Sequence, residues 1–251
     1  MANDHLRILT YNIHKGFSIR NREFVLHEIK DELHADDADL VFLQEIIGEQ
    51  QKHEAKVVNW PDTSQYEFLA DQLWPHYAYG KNAIYSAGHH GNAILSKYPF
   101  ESWDNLNLSN IKRASRSLIH GVIRHPVSQV CLHVLCVHLD LIGFERRRQL
   151  KRVKRYIHDH IPLQEPLIFA GDFNDWNGRL HTGIESDLQL KEAFKQQYGR
   201  HAKTYPARRP IFSMDRIYYR GLTLVDCRSY TEQPWRELSD HAPLYAEFTR
   251  L

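Results

Sequence analysis

Polar clusters follow several apolar, strand-like runs that lie far apart in this 251-residue chain. Each cluster carries carboxylate, amide or imidazole groups where a strand would end. Because strand ends can meet at one edge of a sheet, the clusters predict a single site. Carboxylate oxygens bind hard divalent cations, and imidazoles can move protons or stabilise charge beside a phosphate. The clusters are Thr10-Tyr11-Asn12, Gln44-Glu45, Gly91-Asn92, His138, Gly171-Asp172-Phe173-Asn174 and Ser239-Asp240-His241.

The clearest candidate for a metal ligand is Glu45, which ends the apolar run 40–43. A charge at that point of a buried strand is expected to be paired or metal-bound, although Glu45 could also be the first solvated residue past the strand. Asn12 has the matching position after the first strand. Its amide can hold a metal shell and donate to a phosphoryl oxygen, or it can simply form a turn.

A second pair of polar groups follows the apolar run 167–170. Asp172 and Asn174 are two residues apart, so on an extended chain their side chains can face the same side. This places a carboxylate beside an amide donor. The alternative for such a segment is an ordinary polar turn.

The composition excludes a global attraction to polyanions. Lys and Arg number 32 against 31 Asp and Glu, so the formal net charge is only +1, and any binding of nucleic acid or anionic membrane must come from a local patch. The three cysteines predict neither a disulfide framework nor a zinc site, which favours a reducing compartment. The chain shows no apolar signal region, and we expect a cytoplasmic protein.

The elements that must position these groups are many short strands and few helices. The strands come in two batches, at 6–46 and 91–138, with further strands at 167–170 and 214–248, while the longest predicted helix covers 144–161. This pattern predicts two packed sheets flanked by helices. We find no repeat or linker, and we therefore expect a single domain over residues 1–251.

The motif series, in this order, resembles that of the endonuclease/exonuclease/phosphatase superfamily, from Leu6 to Phe248. The pattern around His138 and Thr204 is similar to the deoxyribonuclease and neutral sphingomyelinase branch. The resemblance implies a four-layer α/β sandwich, in which two mostly antiparallel sheets pack face to face between helices. The site would lie at one end of the sheets.

The resemblance also implies roles for the site residues. Mg²⁺ or Mn²⁺ would be bound by Glu45, Asn12 and Asp240. Asp172 would orient and deprotonate the attacking water, and Asn174 would stabilise the pentacovalent phosphorus. His241 would contact the scissile phosphate, oriented by Asp215, and His138 would donate to a phosphate oxygen or the leaving group. Phosphate contacts would come from Asn92, Arg116 and Thr204.

Two departures count against an abasic-site endonuclease. His14 stands where those enzymes commonly carry an acidic residue, and Glu45 is followed by Ile46 and Ile47 rather than by their x-Lys pattern. We therefore expect a metal-dependent phosphodiesterase that acts on DNA or a phospholipid. The alternatives are a phosphomonoesterase for an inositol phosphate or nucleotide, and a non-catalytic phosphate- or membrane-binding module of the same fold.

Cations are concentrated on the helix predicted at 144–161. Such a run is usually a solvated face, but it could also follow a phosphate backbone or contact anionic lipid headgroups. No obligate protein partner is evident from the sequence. The candidates for an anionic surface contact are Arg147, Arg148, Lys151 and Arg155.

Overall fold

Two six-stranded sheets form the centre of the molecule. The computed structural model describes residues 5–19, 22–50, 56–85, 88–109, 116–124, 129–176, 178 and 180–249. The first sheet contains β1 (His5–Asn12), β2 (Leu40–Gln50), β3 (His76–Tyr85), β4 (Gly88–Ser96), β11 (Thr223–Ser229) and β12 (Leu244–Thr249), in the order β11-β12-β1-β2-β4-β3. The second contains β5 (Phe100–Asn107), β6 (Ser117–Arg124), β7 (Cys131–His138), β8 (Leu167–Asp172), β9 (Lys191–Glu192) and β10 (Asp215–Arg220), in the order β5-β6-β7-β8-β10-β9.

Each sheet has one parallel pair of strands near its centre, and its other neighbouring strands run antiparallel. The parallel pairs are β1 with β2 and β7 with β8. In the first pair Asn12 lies opposite Gln44, and in the second His138 lies opposite Asp172. The parallel direction therefore brings the carboxyl end of both strands of a pair, with its polar cluster, to the same edge.

Apolar side chains divide the fold into layers. One buried cluster lies between the sheets and includes Ile8 and Phe42 from the first and Ile168 from the second. A second cluster packs helices on the outer face of the first sheet, and a third does so on the second sheet. The predicted four-layer α/β sandwich is thus confirmed. The helices are α1 (Leu26–Asp36), α2 (Gln65–Ala70), α3 (Gly143–His160), α4 (His181–Leu188), α5 (Ala193–Tyr198) and α6 (Trp235–Leu238).

The structure also corrects the predicted elements. The strand β3 was not predicted, because its residues mix aromatic, small and polar types without clean alternation. Helices α4 and α5 lie in a region predicted to be rich in loops. In addition, β2 does not end at Ile46, as predicted, but continues to Gln50, and the ladder shifts register between Leu43 and Ile46. Within the described ranges, no helix is both long and apolar enough to cross a bilayer.

Close approach of β7 and β8 depends on the absence of a side chain at Gly171. Its φ is +139°, and a Cβ atom there would lie 2.0 Å from the carbonyl oxygen of Val137. We expect Gly171→Ala to lower the free energy of unfolding by more than about 2 kcal/mol, because neither the backbone angle nor the neighbouring carbonyl can be accommodated without displacement. Urea unfolding followed by circular dichroism measures this change.

Gly143→Ala is the matched control. A Cβ atom at Gly143 would meet only the guanidinium groups of Arg146 and Arg147, both at 3.7 Å, which is an ordinary van der Waals distance. Because Gly143 is the first residue of a helix, alanine there should leave stability unchanged or slightly higher. Equal stabilities of the two variants would contradict the importance of the contact at Gly171.

Candidate active site

A cavity of about 480 Å³ opens at the edge where the two parallel strand pairs end. Its walls come from both sheets and from the loops that follow β1, β7 and β8. Most of the predicted site residues therefore meet in one place. Those that line the cavity are Asn12, Glu45, Arg116, His138, Asp172, Asn174, Asp240 and His241.

Asp172 is the centre of the polar contacts and is buried. Its Oδ2 accepts a hydrogen bond from Asn12 Nδ2 at 3.1 Å, and His138 Nε2 lies 3.4 Å from the same oxygen. Its Oδ1 accepts the backbone N–H of Asn174 at 2.9 Å. Because Asn12 belongs to the first sheet and Asp172 to the second, this carboxylate joins the two sheets at the site.

His241 lies between two carboxylates. Its Nδ1 is 2.8 Å from Asp215 Oδ2, and its Nε2 is 3.9 Å from Asp172 Oδ2. The contact with Asp215 places a proton on Nδ1, so Nε2 faces the cavity side. Among the described residues, Asp172, Asp215 and His241 are the one group of three acidic or histidine side chains whose ligand atoms lie within 4.8 Å of one another.

The environment separates the protonation states of these groups. Burial raises the pKa of Asp172, an effect that the His241 charge opposes and Asp215 reinforces. Burial acts to lower the pKa of His241, but Asp215 and Asp172 outweigh it and raise that pKa. Burial and the charge of Arg116 lower the pKa of His138 well below its ordinary value. The site thus combines a cationic His241 with a neutral His138 at neutral pH.

Glu45 reaches the cavity through a β-bulge. Its φ is +57°, and the bulge turns its side chain towards the site from the middle of β2. Lys15 Nζ donates to Glu45 Oε2 at 2.8 Å. Burial alone would raise the pKa of Glu45, but the charge and the hydrogen bond of Lys15 keep that pKa well below its usual range. Glu45 is therefore an ionised carboxylate with a lysine beside it.

The short 3₁₀ turn His14–Gly16 provides partners for both predicted metal-binding carboxylates. While Lys15 pairs with Glu45, His14 Nδ1 lies 3.3 Å from Asp240 Oδ1. The φ angles of His14 and Lys15 are +45° and +62°, a left-handed backbone that non-glycine residues adopt rarely. Such a conformation is typical of functional sites, where the surrounding structure maintains it.

Three of the predicted site residues, Asp215, Thr204 and Asn92, do not line the cavity. Asp215 lies behind His241, and Thr204 Oγ1 accepts the backbone N–H groups of Met214 and Asp215 at 3.3 Å each. The fully buried Thr204 thus positions Asp215, and it is not among the cavity-lining residues, where a phosphate contact would need it. Asn92 is also fully buried outside the lining, and its Nδ2 donates to the carbonyl of Ser117.

Sequence reasoning missed several residues of the cavity wall. Lys15 could have been found by extending the cluster after β1 by three residues. The apolar wall offered less signal, because its members lie in loops and belong to types that are usually core residues. These missed residues are Lys15, Leu141, Trp176, Tyr205, Phe212 and Met214.

Comparison with known proteins agrees with this geometry. The chain is 42% identical over 241 residues to the uncharacterized protein YbhP of Escherichia coli strain K12, and the match covers 96% of this chain and 95% of YbhP. Two solved structures share the fold at low sequence identity. D. rerio TDP2 complexed with a single-strand DNA product has a TM-score of 0.75 at 18% identity, covering 98% of this chain and all of TDP2.

The second solved structure is ANGEL2, a 2′,3′-cyclic phosphatase in complex with adenosine-2′,3′-vanadate. Its TM-score is 0.73 at 15% identity, and the alignment covers 98% of this chain and 96% of ANGEL2. The family model for the endonuclease/exonuclease/phosphatase family matches residues 9–241, nearly the whole chain. The chain therefore belongs to the endonuclease/exonuclease/phosphatase family.

Proposed function

We propose that this protein is a divalent-metal-dependent phosphodiesterase that hydrolyses its substrate by in-line attack of an activated water. The observation that supports the proposal most strongly is the buried Asp172, placed between the Asp215–His241 pair on one side and Asn12 on the other. A carboxylate whose pKa is raised accepts a proton from water more readily than a solvent-exposed one. Phosphoester hydrolysis is also the general activity of the family.

The donor set fits a hard divalent cation. Glu45 and Asp240 offer carboxylate oxygens and Asn12 an amide oxygen, all lining one cavity. Oxygen ligands of this kind suit Mg²⁺ or Mn²⁺. Lys15 lies beside Glu45 and His14 beside Asp240. These basic groups offset the negative charge of the two carboxylates. When bound there, the metal would offset charge on the phosphoryl oxygen and the leaving group.

The remaining steps belong to side chains of this chain. Asp172 takes the proton of the attacking water. The side chain of Asn12 and the backbone N–H of Asn174 hold the two carboxylate oxygens of Asp172 in place. His241, kept cationic by Asp215, stabilises the developing charge on the phosphate, and Asn174 adds an amide donor. Arg116 has a buried Nε without a hydrogen-bond partner, which suits it to bind a phosphate oxygen.

The substrate that we propose is a phosphodiester, with DNA and phospholipid headgroups as the candidates. The structurally similar TDP2 and ANGEL2 are described in complex with a single-strand DNA product and with adenosine-2′,3′-vanadate, which supports phosphoester chemistry on this fold. Those likenesses concern the fold alone.

The first test is the effect of Asp172→Asn on hydrolysis of bis-p-nitrophenyl phosphate with Mg²⁺ or Mn²⁺. The asparagine keeps the shape but cannot accept the proton of water, so we expect turnover to fall at least ~10²-fold. EDTA should abolish the wild-type activity. p-Nitrophenyl phosphate, assayed in parallel, reports a preference for monoesters.

Asp159→Asn serves as the control, because this exposed carboxylate lies near the end of α3, away from the cavity. It should leave turnover unchanged. Circular dichroism and thermal melting check that both variants are folded. Wild-type rates in a folded, metal-supplied Asp172→Asn protein would refute the role of Asp172, and faster cleavage of the monoester would favour a phosphatase.

A second prediction concerns Lys15. Because its ammonium group lies 2.8 Å from Glu45, it competes with any cation that this carboxylate binds. We expect Lys15→Met to bind Mn²⁺ about tenfold more tightly than the wild type, equivalent to about 1.4 kcal/mol. Isothermal titration calorimetry measures the affinity without any requirement for turnover.

The matched control is Lys154→Met, which removes a lysine from an ion pair of the same length, with Asp187 Oδ2 at 2.8 Å, outside the cavity. Its Mn²⁺ affinity should equal that of the wild type. Unchanged or weaker binding in Lys15→Met would show that Glu45 is not a metal ligand or that Lys15 does not compete for it.

A further inference from the structure

Large apolar side chains are exposed around the mouth of the cavity. They lie between β7 and the first turn of α3, after β8 and before β10, and between 39% and 57% of each is exposed to solvent. Three of them also line the cavity itself, so the apolar surface continues from outside to the phosphate site. We call the following residues the apolar rim: Leu141, Ile142, Phe144, Trp176, Ile211 and Phe212.

The backbone beneath the first part of the rim is held by buried polar groups. The side chain of Arg146 donates to the carbonyls of Asp140 and Leu141. Gln149 Oε1 accepts the backbone N–H of Asp140, and Asp140 Oδ1 accepts that of Ile142. Because this loop is fixed from within, its apolar side chains are held outwards rather than folded onto the core.

The second part of the rim lies on a hairpin that is attached to the site. Ile211 and Phe212 both donate backbone N–H groups to the carbonyl of Tyr205. The backbone N–H of Ala207 donates to the carbonyl of Asp240, a predicted metal ligand. A surface that contacts this hairpin therefore also contacts the border of the catalytic groups.

Exposed arginines accompany both parts of the rim. Arg147 and Arg148 follow Phe144, and the guanidinium of Arg148 lies 5.0 Å from the centre of the Phe144 ring. Arg208 and Arg209 lie on the hairpin, where Arg208 is 3.9 Å from Glu237. With a formal net charge of only +1 for the whole chain, this is a local concentration of positive charge.

We propose that the apolar rim docks on an anionic phospholipid bilayer, with its arginines at the headgroups and its apolar side chains between them. Exposed apolar side chains beside arginines are the combination that binds the membrane interface. Half of the rim is aliphatic, and Leu141, Ile142 and Ile211 cannot stack on nucleic acid bases as a single-strand binding surface would require. The inference deepens the proposed function, on which it rests, by bringing the phosphodiester site to lipid headgroups.

The position of the apolar rim decides which of the cations predicted to contact an anionic surface can do so together with the rim. An α-helix rises about 1.5 Å per residue, so Arg155 lies about 12 Å further along α3 than Arg147, away from the mouth. Arg147 and Arg148 are therefore the cations of α3 that lie beside the rim. Lys151 lies between them and Arg155 along the helix. Arg155, 85% exposed at its side chain, remains outside the docking surface.

The experiment is co-sedimentation with vesicles of phosphatidylcholine, with or without phosphatidylglycerol. The test variant is Ile142→Ser/Phe144→Ser/Ile211→Ser, which leaves every cavity-lining residue in place. We expect the wild type to bind the anionic vesicles and the triple variant to bind at least about tenfold more weakly, because three apolar side chains no longer enter the interface. Ile142 precedes α3, where serine is a favourable capping residue, so folding should be retained.

Leu163→Ser/Val225→Ser is the matched control. These side chains are 59% and 46% exposed, but they lie at the opposite end of the sheets, before β8 and in the first half of β11. This variant should bind vesicles like the wild type. Equal loss of binding in the control, or none in the triple variant, would overturn the proposal.

Binding of single-stranded DNA and hydrolysis of bis-p-nitrophenyl phosphate, measured on the same proteins, distinguish membrane docking from nucleic acid binding and from the proposed activity. If the wild type binds neither vesicle type, or if the triple variant loses binding to single-stranded DNA instead, the rim is not a membrane surface. Hydrolysis of bis-p-nitrophenyl phosphate in solution is measured on the same proteins. Vesicle binding that depends on the rim supports docking even if no diester is cleaved, so the docking surface and the proposed activity fail separately.

Discussion

The site depends on one buried carboxylate, Asp172, that must be satisfied where two sheets meet. A charge removed from water is costly unless it is hydrogen-bonded or paired, and here the partners come from different parts of the chain. Asn12 reaches it from β1, His241 from the segment before β12, and Asn174 from its own loop. The packing of one sheet on the other is therefore also the assembly of the site.

Backbone conformation supplies the second constraint. Four residues around the cavity, His14, Lys15, Glu45 and Asn174, have positive φ angles that non-glycine residues seldom adopt. In each case the chain leaves regular geometry at the point where a side chain must turn into the cavity. The bulge at Glu45 is the clearest example, because the ladder with β4 resumes at Ile46 after the shift.

Much of this arrangement could be predicted from the sequence, because the polar groups near strand ends carry a strong signal. The convergence of Asn12, His138 and Asp172 followed from their position after apolar runs, and that of His241 from its position just before the last strand. The place of Glu45 inside β2 did not, because a bulge depends on pairing with a distant strand. The position of Thr204 behind Asp215 could not be predicted either, because the sequence does not show whether a threonine hydroxyl is exposed or buried.

Because Asn12 and Asp172 belong to different sheets, anything that binds both sides of the cavity holds the two sheets together. Such a ligand would add its binding free energy to the whole sandwich rather than to one loop. The amide protons of the inner strands β1 and β8 would then gain protection from exchange together, although they share no ladder. In this fold the cavity at the end of the sheets is also the place where a ligand can control the cooperativity of unfolding.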